Sequence, residues 1–366
     1  MTKLAILGTR GIPARYGGFE TFAEQLSTRL AGMGVDVSVF CPASARKGAD
    51  SYRGVTLKFV KFPNLGKYSE MFWDALCFCV VRRRFDVVYM LGLGGAFMAW
   101  VPRLFGVAVW INTDGIEWKR TKFTWPQRAY LAAAEAMSVL FASRIVADAA
   151  AIAEYLRSRY PGIRKKICTI AYGAEIPAES PLEELIEEWN LTPRAYYIVV
   201  SRLEPENHVL EIIEGFEQAN SRLPLIIVGS IAAPNEYVRR LLTRRSARIQ
   251  FLGAIYDSRK LTALRFHSHA HIHGHSVGGT NPSLLEAMAC SSLVIAHDNP
   301  FNREVLDDCG LFFRNNKELA AAVNHIDMRE VDPAILGKRA TERIRKHYQW
   351  DQVADSYLDL LKATGT

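Results

Sequence analysis

Twice in this chain a short, uninterrupted apolar run breaks at a turn and hands over to an amphipathic helix. Lys3–Leu7 is followed by Gly8-Thr9-Arg10-Gly11-Ile12-Pro13, then by a helix with Phe22, Leu26 and Leu30 on one face, then by a second run from Val35 to Cys41. Ala195–Ser201 opens the series again, with Leu225–Gly229 and Ile249–Gly253 as further runs. Strands apolar on both faces are what a parallel sheet needs when helices cover both of its sides. The pattern predicts an α/β chain built as one doubly wound domain followed by another. A length of 366 residues is too great for one ordinary core and agrees with two. Apolar content falls over residues 168–193, which hold Pro177, Pro181 and Pro193. The reading is a first domain over 1–170, a linker over 171–194 and a second domain over 195–340.

Composition narrows the setting. The chain is 49% hydrophobic and 23% charged, an ordinary soluble balance. Its six cysteines lack metal-ligand spacing and sit mostly in apolar runs, so they read as reduced thiols of a cytoplasmic protein. Leu4–Leu7 is too short for a signal peptide, and the apolar zone 87–111 is broken by Pro102, Arg103 and three glycines into strand, loop, helix and strand. A net charge of +7 favours anionic partners without choosing among them. Arg239-Arg240 and Arg244-Arg245 lack interleaved aromatics, which argues for a solvated helix face and against nucleic acid. The helix over 68–85 ends in Arg82-Arg83-Arg84 and suits either a core-facing role or contact with an anionic bilayer.

Chemistry concentrates in His275-Ser-Val-Gly-Gly-Thr-Asn-Pro-Ser-Leu-Leu-Glu-Ala-Met-Ala289. Asn281 is a good N-cap and Pro282 suits the first helical position, so the Gly278-Gly279 loop delivers a helix N-terminus that can seat a diphosphate. Glu286, on the first turns, is placed to accept hydrogen bonds from ribose hydroxyls. The loop 8–20 is too long for a dinucleotide fingerprint, and no acidic residue ends the second strand, which argues against NAD. After the strand over 107–112, Asp114, Glu117, Trp118, Lys119 and Arg120 cluster where ligands of parallel sheets bind. Histidines at 267, 269, 271, 273 and 275 would share one face of a continuous strand, but the helix over 258–267 should end inside the series and leave about three on the strand, and no cysteine or carboxylate pair completes a metal set, so they read as lining a polar cleft. Lys338–Leu361 reads as one terminal amphipathic helix, and 341–366 as a segment docking on the first domain.

Taken together these features resemble the GT-B architecture of nucleotide-sugar glycosyltransferases, family 4 in particular. Ser201-Arg202-Leu203 matches that family's motif after the first strand of the second domain, and Glu286 matches the second glutamate of its Glu-x7-Glu motif. The first glutamate of that motif falls at Gly278 and the usual lysine at Asn207. The stretches 8–22, 114–120, 204–207 and 273–283 together resemble bacterial rhamnosyltransferases of capsule and cell-wall polysaccharide assembly. The resemblance implies two Rossmann-like domains facing across a cleft, with a C-terminal helix returning to the first.

It also implies a retaining transfer of L-rhamnose from dTDP-L-rhamnose to a lipid-diphosphate-linked sugar, with no metal, by a protein peripheral to the inner face of the cell membrane. Alternatives are a UDP-hexose or UDP-N-acetylhexosamine donor, or a UDP-N-acetylglucosamine 2-epimerase. On this reading Asp114, Glu117 and Arg202 are catalytic; Gly17, Gly18, Arg202, Asn207, Gly278, Gly279, Thr280, Asn281 and Glu286 bind the donor; and Tyr16, Trp118, Lys119 and Arg120 bind the acceptor.

Overall fold

The opening apolar run forms β1 (Lys3–Leu7), whose Leu4, Ala5, Ile6 and Leu7 are fully buried. The computed structural model describes residues 1–366 except 15–16, 47, 64–65, 67–68, 82–83, 117, 119–122, 233 and 365–366. The sequence expectations for Tyr16, Arg82, Arg83, Glu117, Lys119 and Arg120 therefore lie outside the described residues. After β1 come α1 (Gly18–Gly32), β2 (Asp36–Pro42), the short hairpin β3 (Ser51–Tyr52) and β4 (Val55–Val60), α2 (Ser69–Val80) and β5 (Val87–Leu91). Then follow α3 (Trp100–Arg103), β6 (Ala108–Asn112), α4 (Trp125–Phe141), β7 (Arg144–Ala147), α5 (Ala150–Arg159) and β8 (Ile167–Thr169).

These strands form one sheet in the order β3-β4-β2-β1-β5-β6-β7-β8, parallel except for the β3–β4 hairpin. The register pairs Ala5 with Ser38 on one side and Val88 on the other, so β1 is central and hydrogen-bonded on both edges. Helix α2 ends at Val80, short of the Phe85 expected from its periodicity; Trp73, Cys77 and Phe78 face the core while Phe72 and Val80 are exposed. Among the described residues no helix is long and apolar enough to cross a membrane.

The second unit begins at Gly173. It holds α6 (Glu184–Glu187), β9 (Tyr197–Val200), α7 (Val209–Gln218), β10 (Leu225–Val228), α8 (Glu236–Leu242), β11 (Ile249–Gly253) and α9 (Ser258–Phe266). It continues through β12 (Ala270–His273), α10 (Pro282–Ala289), β13 (Val294–His297), α11 (Pro300–Leu306), β14 (Leu311–Phe313), α12 (Asn316–Asp327) and α13 (Pro333–His347). Six parallel strands run in the order β11-β10-β9-β12-β13-β14. Alternate residues of β9 feed opposite faces: Tyr197 and Val199 join the cluster with Ile212, Ile213 and Phe216, while Tyr196 and Ile198 pack with Ile226 and Leu264. Burying such side chains is worth about 1.5–3 kcal/mol each, which is why the strands lack the apolar–polar alternation of a half-exposed sheet.

The stretch expected to be one helix over 338–361 is two. Helix α13 ends at His347; Tyr348 leaves the helical conformation with φ −135° and ψ 23°, its carbonyl accepting from the Ala174 amide at 2.8 Å, and Gln349 bridges Ala174. Helix α14 (Trp350–Thr364) belongs to the first unit with residues 1–172, whereas α13 belongs to the second. Each buries its own face: Gly337 and Thr341 lie against Ser291 and Met288, while Trp350 and Tyr357 pack on Phe22 of α1. The two faces serve different cores, so the chain breaks between them.

Candidate functional site

In the second unit the loops leaving β9 and β12 are built on each other. Arg202 follows β9 with its side chain half exposed and its guanidinium 3.7 Å from the Glu204 carboxylate. Asn207 is buried; its amide donates to the Arg202 carbonyl at 2.7 Å, which turns Oδ1 toward His275 Nδ1 at 2.6 Å. Because that oxygen can only accept, His275 carries its proton on Nδ1. Ser276 donates its hydroxyl and its amide to the Glu206 carbonyl, and the His208 ring meets the same hydroxyl at 2.9 Å. The His275 carbonyl accepts from the side-chain amides of Asn299 and Asn302. Gly274 is required here, since a Cβ would sit 2.2 Å from the Asn207 carbonyl oxygen.

Beyond His275 the chain turns at Gly278, whose φ of 129° disfavours any side chain, and this accounts for glycine where the family pattern has its first glutamate. Asn281 caps α10 as its sequence predicts, accepting from the Ser283 amide at 2.9 Å, and Ser283 Oγ donates to the carbonyl of Val200. The amides of Gly279 and Asn281 donate to no group among the described residues. Two unspent amides at a capped helix start, with Thr280 buried between them, form a local positive pole. Glu286, one turn further, is 2.6 Å from the guanidinium of Arg265, a buried residue that the sequence reading did not single out.

Three of the five histidines, His267, His271 and His273, are buried instead of lining a polar cleft. His267 ends α9 and bonds Pro181, while His269 meets the Tyr197 ring edge to face. His271 and His273 are buried on β12, and no hydrogen bond reaches either ring nitrogen of His271 or Nε2 of His273. Burial, reinforced by Arg265, holds His271 well below the usual imidazole range and pushes His273 down to about 3. Burial and the stacked His208 ring push His297 down to about 4. Among the described residues no three His, Cys, Asp or Glu side chains cluster so as to hold a metal ion.

In the first unit the C-terminal strand ends present the loops 8–14, 92–95 and 113–116. The first is tied down by carboxylates: the Arg10 amide donates to Glu20, the Ala14 amide to Glu24, and the Arg10 guanidinium to Glu70. Gly17 caps α1 with φ 94°, where a Cβ would meet Glu20 Oε2 at 2.6 Å, and Gly18 is the first helical residue. Asp114 takes a left-handed conformation, φ 56°, and its amide donates to Asn112 Oδ1. Trp118 donates its indole N–H to Tyr155, and its ring lies beneath Arg159. Asp74 was not foreseen. It is buried on α2 against Gly94 and Gly95, and burial, then Glu70, hold its carboxyl well above the usual range. The cue was the Gly92-x-Gly94-Gly95 run, which leaves room for that side chain.

Residues 183–347 match the family model described as Glycosyl transferases group 1, and residues 1–175 match one described as a Domain of unknown function (DUF1972). No curated protein matches the chain significantly. Solved structures similar over its whole length include sucrose-phosphate synthase from Thermosynechococcus elongatus, with 16% identity, 99% of each chain covered and a TM-score of 0.80. HepE of Anabaena in complex with UDP-glucose is 15% identical, covering 99% of this chain and 100% of that one at a TM-score of 0.78. An alpha,alpha-trehalose-phosphate synthase (UDP-forming) from Burkholderia xenovorans in complex with glucose-6-phosphate is 12% identical, covering 98% and 100%, at 0.74. The chain has the two-domain GT-B-like α/β fold. The match to the glycosyl transferases group 1 model falls within its second unit.

Proposed function

We propose that this protein is a retaining glycosyltransferase that moves L-rhamnose from dTDP-L-rhamnose to a lipid-diphosphate-linked sugar, working at the inner membrane face in capsule or cell-wall polysaccharide synthesis. The observation that carries the transferase reading is the pairing of half-exposed Arg202 with the unspent amides of Gly279 and Asn281, on loops locked together by Asn207 and His275. A guanidinium and two amides stabilise the negative charge that builds on a departing diphosphate, so leaving-group departure is assisted without a metal ion. Thr280 and Gly278 shape the same turn, and Glu286 accepts from the 3′-hydroxyl of the nucleoside's deoxyribose. Retention follows if the acceptor attacks the face the diphosphate leaves, with a diphosphate oxygen taking its proton. Asp114 and the Gly17-Gly18 loop position acceptor and sugar, together with Tyr16, Glu117, Trp118, Lys119 and Arg120.

The second reading is a UDP-sugar donor on the same residues. It is favoured by similarity to structures solved with UDP and UDP-glucose. Thermal stabilisation by dTDP, dTDP-rhamnose, UDP and UDP-glucose separates them, since a ligand of the folded state raises the melting point. A shift with the thymidine nucleotides alone supports rhamnose; a shift with uridine nucleotides alone overturns it, and product formed without acceptor then identifies an epimerase. Arg202→Ala should lower kcat/KM about a hundredfold, in keeping with the loss of charge-assisted bonds to the diphosphate. Wild-type kinetics in that variant would remove Arg202 from the site.

A further inference from the structure

Arg265 lies at the end of α9 and is 4% exposed. Its carbonyl accepts hydroxyl bonds from Ser268 and Ser292, both at 2.7 Å, which fixes the backbone beneath the side chain. The guanidinium reaches α10, 2.6 Å from Glu286 Oε2 and 3.5 Å from Ser283 Oγ. Its other neighbours are uncharged: His271 and His273, and the Cys290 thiol, which burial pushes up to about 12. Glu286 is its one carboxylate partner among the described residues, and that carboxylate is still 39% exposed. A buried cation facing a half-exposed anion is a poor way to stabilise a fold, because desolvation offsets the attraction. It is a good way to hold one carboxylate oxygen still while leaving the other open to solvent or ligand.

We infer that Arg265 is a positioning residue that anchors Oε2 of Glu286 so that the rest of the carboxylate accepts hydrogen bonds from the donor's pentose, the 3′-hydroxyl of a thymidine nucleotide or both hydroxyls of a uridine nucleotide. The inference rests on the proposed seating of a nucleoside diphosphate at Glu286. Ser283 completes the device, tying α10 to the Val200 carbonyl while lying beside the same guanidinium. The signature is loss of hydroxyl-dependent affinity, with the affinity due to base and diphosphate unchanged.

The test is calorimetric binding of dTDP and UDP, each compared with its 2′,3′-dideoxy counterpart, to wild type, Arg265→Met, Arg265→Lys and Glu286→Gln. The wild type should bind the hydroxyl-bearing nucleotide it accepts about tenfold tighter than the dideoxy form, as expected for one hydrogen bond to a charged group. Arg265→Met should erase that ratio without changing dideoxy affinity, and Arg265→Lys should restore part of it. If Arg265→Met does not fold, a few-fold loss confined to the hydroxyl-bearing nucleotide in Arg265→Lys serves in its place. Equal loss for both nucleotides, or no loss in either arginine variant while Glu286→Gln erases the ratio, overturns the positioning role alone. A ratio that survives Glu286→Gln, or is absent from the wild type, overturns the ribose reading of Glu286 and the inference with it.

Discussion

The two units each present a glycine-rich loop at the C-terminal edge of a parallel sheet, and the loops differ in what holds them. Loop 8–14 is pinned by carboxylates, and the amides of Arg10 and Ala14 are already given to Glu20 and Glu24. Loop 274–281 is pinned by neutral groups: Asn207, Asn299, Asn302, the Ser276 hydroxyl and the Asn281 cap. Its Gly279 and Asn281 amides donate to no group among the described residues. On the proposed reading, an incoming diphosphate would find the Arg10 and Ala14 amides of the first loop already given to carboxylates, and two open amides at the second. On that reading, glycine content alone does not make a phosphate seat; the charge of the groups behind the loop decides.

The largest effect should come from Gly274→Ala, which drives a Cβ into the Asn207 carbonyl, with a loss of about 3 kcal/mol in denaturant unfolding. A loss under about 1 kcal/mol would mean that the two donor loops are not rigidly joined. Asn207→Asp puts a carboxylate behind the second loop and makes it like the first. It cannot donate to the Arg202 carbonyl, and donor affinity should fall by roughly 2 kcal/mol. Unchanged dTDP or UDP titrations would break the contrast.

A third effect is acid sensitivity confined to the second unit. His273 has a folded pKa of about 3, below the ordinary 6.5, so the unfolded chain takes up its proton first as pH falls. Stability should hold above pH 6.5 and then decline, by at most about 1.4 kcal/mol per pH unit for this residue, toward the folded value. His297 adds in the same direction. His273→Asn should flatten the decline in a urea series between pH 7 and 5; an unchanged slope would show that the imidazole does not govern it. The smallest effect belongs to Glu70→Gln. The Arg10–Glu70 pair is mostly exposed, so its loss should cost no more than about 0.5 kcal/mol. A larger drop would give that pair a structural share in loop 8–14.

Much of the second unit was legible because its cues are local. A cap followed by proline sets a helix start within three residues, and Asn281-Pro282 opens α10 as read. Apolar runs revealed the strands for the same reason. The histidine series was misread, since alternation places side chains on one face without saying whether that face meets solvent or helices. His271 and His273 face the core. Asp74 went unseen because its environment is supplied by Gly94 and Gly95, some twenty residues later.

What the sequence determined by itself is the αβ rhythm, the glycine turns and the polar residues at strand ends, each set by interactions within a few residues. What only the tertiary structure decided is partnership across the chain. It split the terminal helix so that α13 and α14 could bury their faces in different cores, gave the first loop to carboxylates and the second to neutral amides, and set buried Arg265 behind Glu286. These outcomes depend on packing between segments tens or hundreds of residues apart, and no local pattern records it.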